Sequence, residues 1–320
     1  MYIQPSITNW TGRIDSTNDP LSFRYHQQIR LADLSRLDKK ASNTFGLLGF
    51  NCDAGVKRNQ GRMGAAEAPD EIKKALARLP WHLPADTEII DTGNIKCVED
   101  HLEEAQTNLG NAIASLCKSK VTPIIIGGGH ETFYGHYLGI RKFLGPEAQL
   151  GIINIDAHFD MRPYDQQTSS GTMFKQILDQ DSKCNYLCAG IQQQGNTKAL
   201  FETANQYHVK YINEEDLSLP TLDQALEQID DFIEQQDYII LTLCTDVINS
   251  AYAPGVSAPS PFGLDPKIVR ALIRHIVSKE TILSFDISEV NPVLDENNKT
   301  VALAAQLLND VLIHFHTNSN

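Results

Sequence analysis

Two short segments carry the residue types that could do chemistry, Gly127-Gly-Gly-His-Glu131 and Asn154-Ile-Asp-Ala-His-Phe-Asp-Met-Arg162. In the second, Asp156, His158 and Asp160 alternate with Ala157 and Phe159, so extended backbone would turn all three side chains to one side. A single carboxylate at a strand end is ordinarily a cap or a solvated turn residue. Two Asp flanking a His at period two, with His130 after a triple glycine one βα unit earlier, point instead to a metal site. Mixed carboxylate and imidazole ligands suit Mn2+, Zn2+, Ni2+ or Fe2+ better than Ca2+ or Mg2+, which prefer all-oxygen shells. A metal-bound hydroxide is then the expected nucleophile. The glycines do not read as a phosphate loop, because no Lys-Ser/Thr follows and His130 stands where a helix begins. They are expected to let the backbone turn tightly beside the metals.

Something must hold these residues in place. Each segment follows an aliphatic run, 123–126 and 150–153, that reads as a buried strand, so the polar groups sit at strand ends. In an open parallel sheet or a barrel that edge binds ligands. Strands are expected at Phe45 to Phe50, Thr87 to Thr92, Thr122 to Ile126, Leu150 to Ile155, Asn185 to Ala189, Val209 to Ile212, Tyr238 to Leu243 and Thr281 to Ile287. Helical patterns lie between them. The clearest opens at Pro69 with Asp70 and Glu71 in its first turn and puts Ile72, Leu76 and Leu79 on one stripe. The last runs from about Val301 to Phe315. Such alternation fits a TIM barrel as well as an open doubly wound sheet, and periodicity does not separate them. With no linker, repeat or low-complexity tract, the chain reads as a single domain over residues 41–320, with residues 1–40 as an N-terminal extension packed on it.

A net charge of -13 and a pI near 5.2 oppose nucleic acid or an anionic membrane as partner, which leaves a small molecule. The first fifteen residues lack a basic region followed by an apolar stretch, so no signal peptide is expected. No run approaches the ~18 apolar residues of a membrane span. The six cysteines are scattered in mostly apolar contexts, as reduced thiols of a cytoplasmic protein would be.

A third polar strand end, Leu241-Thr-Leu-Cys-Thr-Asp246, is followed by Tyr252-Ala-Pro-Gly-Val-Ser-Ala-Pro259. Together with Gly-Gly-Gly-His-Glu and Asp-Ala-His-Phe-Asp, these segments resemble the ureohydrolase superfamily of arginases, agmatinases and formimidoylglutamases, from about Phe45 to the C-terminus. The Arg58-Asn-Gln-Gly-Arg-Met-Gly-Ala65 loop, Ser169-Ser-Gly-Thr172 with Phe174, Gly190-Ile-Gln with Asn196-Thr-Lys198, and the Ala253 to Pro259 segment are most similar to the formimidoylglutamase branch. Arginases carry His where Phe174 aligns, which disfavours arginine as substrate.

The resemblance implies a three-layer αβα sandwich around an eight-stranded, mostly parallel sheet. It also implies two divalent metal ions, Mn2+ first among them. His130 and Asp160 would hold one ion and His158 and Asp246 the other, with Asp156 bridging. A second bridging Asp is expected at the position of Cys244, and a thiolate there would shift preference toward Zn2+ or Fe2+. Glu289, in Asp286-Ile-Ser-Glu-Val-Asn-Pro292, would accept hydrogen bonds from a cationic amidine or guanidine, and Asp160 would pass a proton to the leaving amine. Arg162, Arg58 and Arg62, with Asn59 in the same loop, would read the substrate's carboxylates. The expected reaction is hydrolysis of N-formimidoyl-L-glutamate to L-glutamate and formamide, in histidine degradation. Agmatine or another guanidine is the alternative substrate, and a non-catalytic protein whose metal site decayed at Cys244 the alternative class. A cytoplasmic homo-oligomer, trimer or hexamer, is implied as well.

Overall fold

Short aliphatic runs bounded by turn residues form the strands, and amphipathic stretches between them form helices that cover both faces. The computed structural model describes residues 1–37 and 43–316; the boundary expected between residues 40 and 41 lies outside the described residues. In chain order the strands are β1 (Tyr2–Ile3), β2 (Arg30–Leu31), β3 (Thr44–Asn51), β4 (Glu88–Lys96), β5 (Thr122–Ile126), β6 (Leu150–Ile155), β7 (Cys184–Ile191), β8 (Lys210–Asn213), β9 (Tyr238–Cys244) and β10 (Ile282–Ser288). Each strand expected from the sequence is present. The sheet has ten strands rather than eight, because β1 pairs antiparallel and β2 parallel with β4. Two-residue strands carry no alternation for a sequence reading to find.

The order β1-β4-β3-β5-β10-β9-β6-β7-β8 is that of an open sheet, so the barrel alternative falls. One apolar core holds Ile72 and Leu76 of the helix Ala68–Leu76, Leu272 and Ile276 of Pro266–Val277, and Leu308 and Val311 of Lys299–His314. A second, on the opposite face, holds Leu109 and Ile113 of Leu102–Lys118, Phe133 and Ile140 of Thr132–Leu144, and Ile177 of Met173–Gln180. The result is three layers. Trp10 and Tyr25, from the N-terminal segment, are buried in the first core.

The topology concentrates chemistry at the centre. After β5 the chain crosses to β6, and β10 and β9 later fill the space between them. Such a switch in strand order opens a crevice beyond the C-terminal strand ends. His130, Asp156, Asp246 and Glu289 follow the ends of β5, β6, β9 and β10, the four central strands.

Candidate metal centre

Strand β6 stops at Ile155, and the loop after it does not continue the expected zigzag. Asp160 takes a left-handed conformation, φ 47°, so period-two alternation is not what gathers its acidic and imidazole groups. Hydrogen bonding does that. His158 donates its backbone N–H to Asp156 Oδ1 at 2.9 Å, and its Nδ1 stands 3.4 Å from Asp156 Oδ1 and 3.3 Å from Asp246 Oδ2. His130 Nδ1 lies 3.1 Å from Asp156 Oδ2 and 2.9 Å from Asp160 Oδ2.

These contacts resolve into two overlapping donor groups. Ligand atoms of His130, Asp156 and Cys244 lie within 4.8 Å of one another, as do those of Asp156, His158 and Asp246. Asp156 belongs to both, the position a bridging carboxylate would take. Asp160 joins through His130 and lines the same cavity.

The triple glycine serves close approach rather than a left-handed turn. A Cβ on Gly128 would stand 1.9 Å from the Cys52 carbonyl oxygen, and one on Gly127 would stand 2.5 Å from Ser288 Oγ; neither glycine has a positive φ. Glu289 does take one, φ 67°, which costs a non-glycine residue roughly 1–3 kcal/mol and is tolerated mostly at functional positions. Its Oε1 accepts the His130 N–H at 2.8 Å. Phe174 stacks on Tyr186 at 4.2 Å and meets His130 edge-on at 5.8 Å.

The cluster holds more acid than its own bases neutralise. Burial opposes charge on His130 and His158, but Asp156 and Asp160 around the first, and Asp246 and Asp156 around the second, raise both imidazoles well above their ordinary pKa. Burial also opposes charge on Asp156, yet the two histidines pull its carboxyl below the usual range. Burial and the Asp156 charge raise Asp160; burial and Asp246 raise Glu289. Burial and the surrounding carboxylates push the Cys244 thiol up. Asp246 Oδ1, buried, has no hydrogen-bond partner. A divalent cation fits this set on each count: it takes the place of the imidazole protons, favours carboxylate and thiolate, and gives Asp246 Oδ1 a partner.

Above the cluster is a cavity of about 270 Å3 lined by His130, His158, Asp160, Cys244, Asp246 and Glu289, with Arg162 and Asn59 also on its wall. Arg58 and Arg62, expected to read the substrate, are not among the residues lining it. Arg58 is held by Glu103 Oε1 at 2.6 Å and the Asp100 carbonyl at 2.7 Å. Arg62 donates to the carbonyls of Val256 and Ser257 at 2.9 Å and so pins one loop to another. Ser170, Ser257 and Gln60 line the cavity without having been singled out as site residues. They lie in the segments that carried the resemblance, which was the available signal.

Comparison with known proteins extends the geometry. The family model described as the arginase family matches residues 43–314. The chain is 61% identical over 316 residues to the formimidoylglutamase of Geobacillus sp. strain WCH70, covering 99% of this chain and 97% of that protein. It is 40% identical over 313 residues to the formimidoylglutamase of Staphylococcus aureus strain MRSA252, covering 98% and 100%. Among solved structures it superposes on formimidoylglutamase from Bacillus subtilis with a TM-score of 0.78 at 21% identity, over 88% of this chain and 91% of that one. It also superposes on Trypanosoma cruzi formiminoglutamase solved with Mn2+, with a TM-score of 0.77 at 22% identity, over 89% and 99%.

Proposed function

The chain belongs to the arginase family, and from that footing we propose that it hydrolyses N-formimidoyl-L-glutamate to L-glutamate and formamide, a step of histidine degradation. The observation that carries this reading is the pair of donor groups sharing Asp156 beneath a cavity whose wall adds a carboxylate, Glu289, and a guanidinium, Arg162. Near-full-length identity to formimidoylglutamases supports the choice of substrate.

His130 and Asp160 would hold one divalent ion, His158 and Asp246 the second, and Asp156 with Cys244 would lie between them. Mn2+ is the first choice, while the sulfur of Cys244 draws the preference toward softer ions. When bound, such ions act as Lewis acids and lower the pKa of water into the neutral range.

The chain's own residues orient the rest. Glu289 faces the cationic amidine and accepts hydrogen bonds from its two N–H groups. Arg162, with Asn59 beside it on the wall, receives the glutamate carboxylates, for which a planar guanidinium offers two parallel donors. Water adds at the amidine carbon and the bond to the glutamate nitrogen breaks. Asp160 passes the proton that lets this nitrogen leave as an amine. The reading includes residues 1–40 as an extension of one domain, a cytoplasmic location and a trimeric or hexameric assembly. Among the described residues no helix is long and apolar enough to cross a membrane.

The test is a side-by-side assay of metal-reconstituted protein on N-formimidoyl-L-glutamate, agmatine and arginine. Formamide and glutamate from the first, with the guanidines turned over far more slowly, is the expected result. Preferential release of urea from agmatine would overturn it.

A further inference from the structure

Beneath the cluster the second-core face of the sheet changes character. Ile152 and Ile240 are apolar, but the next residues on that face, Asn154 and Thr242, are polar, and Asp286 continues the row on β10. These three are register partners across β6, β9 and β10 and are fully buried. Burying such groups costs free energy unless every one is paired, and nothing about the sheet itself requires them.

The hydrogen bonds around Thr242 converge on Asp286. Thr242 Oγ1 donates its single proton to Asp286 Oδ1 at 2.8 Å. The 3.1 Å contact between Thr242 Oγ1 and His130 Nε2 must therefore be one in which the ring donates. With Nε2 so engaged, His130 turns Nδ1 toward Asp156 and Asp160, where a bound ion would replace the proton on that nitrogen. Asp286 is held in turn. His136 Nδ1 meets its Oδ2 at 2.6 Å, Ser284 Oγ lies 2.6 Å from His136 Nε2, and Ser288 Oγ donates to Oδ1 at 3.3 Å. His136 and Ser284 are likewise fully buried.

We propose that Thr242, Asp286 and His136 are positioning residues: a sealed relay that anchors the Nε2–H of His130, and so holds the ring with Nδ1 facing the ion site. The proposal rests on the metal-site reading above. It predicts that the relay acts on ion affinity through the orientation of one ring.

The test pairs two variants of the whole protein, Thr242→Ser, which keeps the hydroxyl, and Thr242→Val, which removes it at nearly the same volume. The first readout is ring 15N–1H NMR of the metal-free protein. Wild type and Thr242→Ser should show a His130 Nε2–H protected from solvent exchange, and Thr242→Val should lose it. The second is calorimetric titration with Mn2+ and Zn2+. Thr242→Val should bind about 10–100-fold more weakly, the usual effect of removing a ligand's supporting hydrogen bond, while Thr242→Ser stays near wild type. Asp286→Asn, where it folds, should resemble Thr242→Val. Unchanged affinity in Thr242→Val, or a wild-type ring carrying its proton on Nδ1 alone, would overturn the relay with the metal site intact. A wild type with the protected proton that takes up neither ion would overturn the metal-site reading, and the relay's assigned purpose with it.

Discussion

Lys73 and Asp91 bury an ion pair between the helix Ala68–Leu76 and β4, while His130, Asp156, His158, Asp160 and Asp246 bury charge beyond the ends of β5, β6 and β9. The first cluster is complete. The Lys73 ammonium has three protons and three acceptors, Asp91 Oδ1 at 2.7 Å, Asn94 Oδ1 at 2.7 Å and the Gly93 carbonyl at 3.2 Å. The other Asp91 oxygen accepts the Trp10 indole N–H at 2.8 Å, which ties the N-terminal segment to the same pair. The second cluster is acid-rich, lifts both its imidazoles, and leaves Asp246 Oδ1 without a partner. Buried charge that balances within the chain serves the fold. Buried charge in surplus asks for a cation from outside.

Substitutions on the two sides should therefore fail in opposite ways. Asp156→Ala or His158→Ala should lower turnover by on the order of a thousandfold or more, since a bound ion supplies several kcal/mol of charge stabilisation. Ion content should fall with it, and circular dichroism of the metal-free variants should match wild type. Full turnover at normal occupancy would show that the ions sit elsewhere.

Lys73→Met should do the reverse. Leaving Asp91 buried and unpaired costs roughly 3–5 kcal/mol, read as a lower midpoint in urea, with ion stoichiometry unchanged in the folded fraction. Loss of ions at undiminished stability would erase the distinction between the clusters.

Glu131 sharpens the comparison, since it is buried beside His130 yet absent from both donor groups. Burial pushes its carboxyl up to about 7 from an ordinary 4.5, against the pull of the Gly55 N–H. The folded state thus holds its proton where the unfolded chain has lost it. The associated stability is present in full below pH 4.5, falls as pH rises through 7, and is level above, a loss of about 3 kcal/mol at 1.36 kcal/mol per pKa unit. Glu131→Gln should remove that slope from the metal-free protein, seen as a smaller stability difference between pH 5 and pH 8 than wild type shows. An identical slope would assign the dependence to other groups.

Arg162→Met carries the smallest expected effect. Losing a charged hydrogen bond to the substrate costs roughly 1.5–3 kcal/mol, a tenfold to hundredfold rise in KM for N-formimidoyl-L-glutamate with ion content unaltered. An unchanged KM would mean that a different group on the wall reads the carboxylates.

What the sequence disclosed follows from how local each signal was. The parallel strands and their polar ends were legible because hydrophobic runs and the residues after them are neighbours in the chain. The turn at Asp160 was not, because a left-handed residue leaves no periodic mark. Arg58 and Arg62 looked alike within one loop, and only partners far along the chain, Glu103 for one and Ser257 for the other, decide where each guanidinium goes. Thr242 and His136 were invisible for the same reason, since Asp286 joins them across strands and layers. A trace was present nonetheless: Ser284, Asp286 and Ser288 alternate with Phe285 and Ile287 in what should be a buried strand.

The central claim is that the acid surplus exists to hold two divalent ions for hydrolysis, with Cys244 between them. It is tested most directly by saturating the metal-free wild-type protein with Mn2+, removing unbound ion, and measuring metal per chain and formamide release on the same sample. The account predicts two ions per chain and turnover of N-formimidoyl-L-glutamate. A folded protein that retains one ion or none and releases no formamide would contradict it.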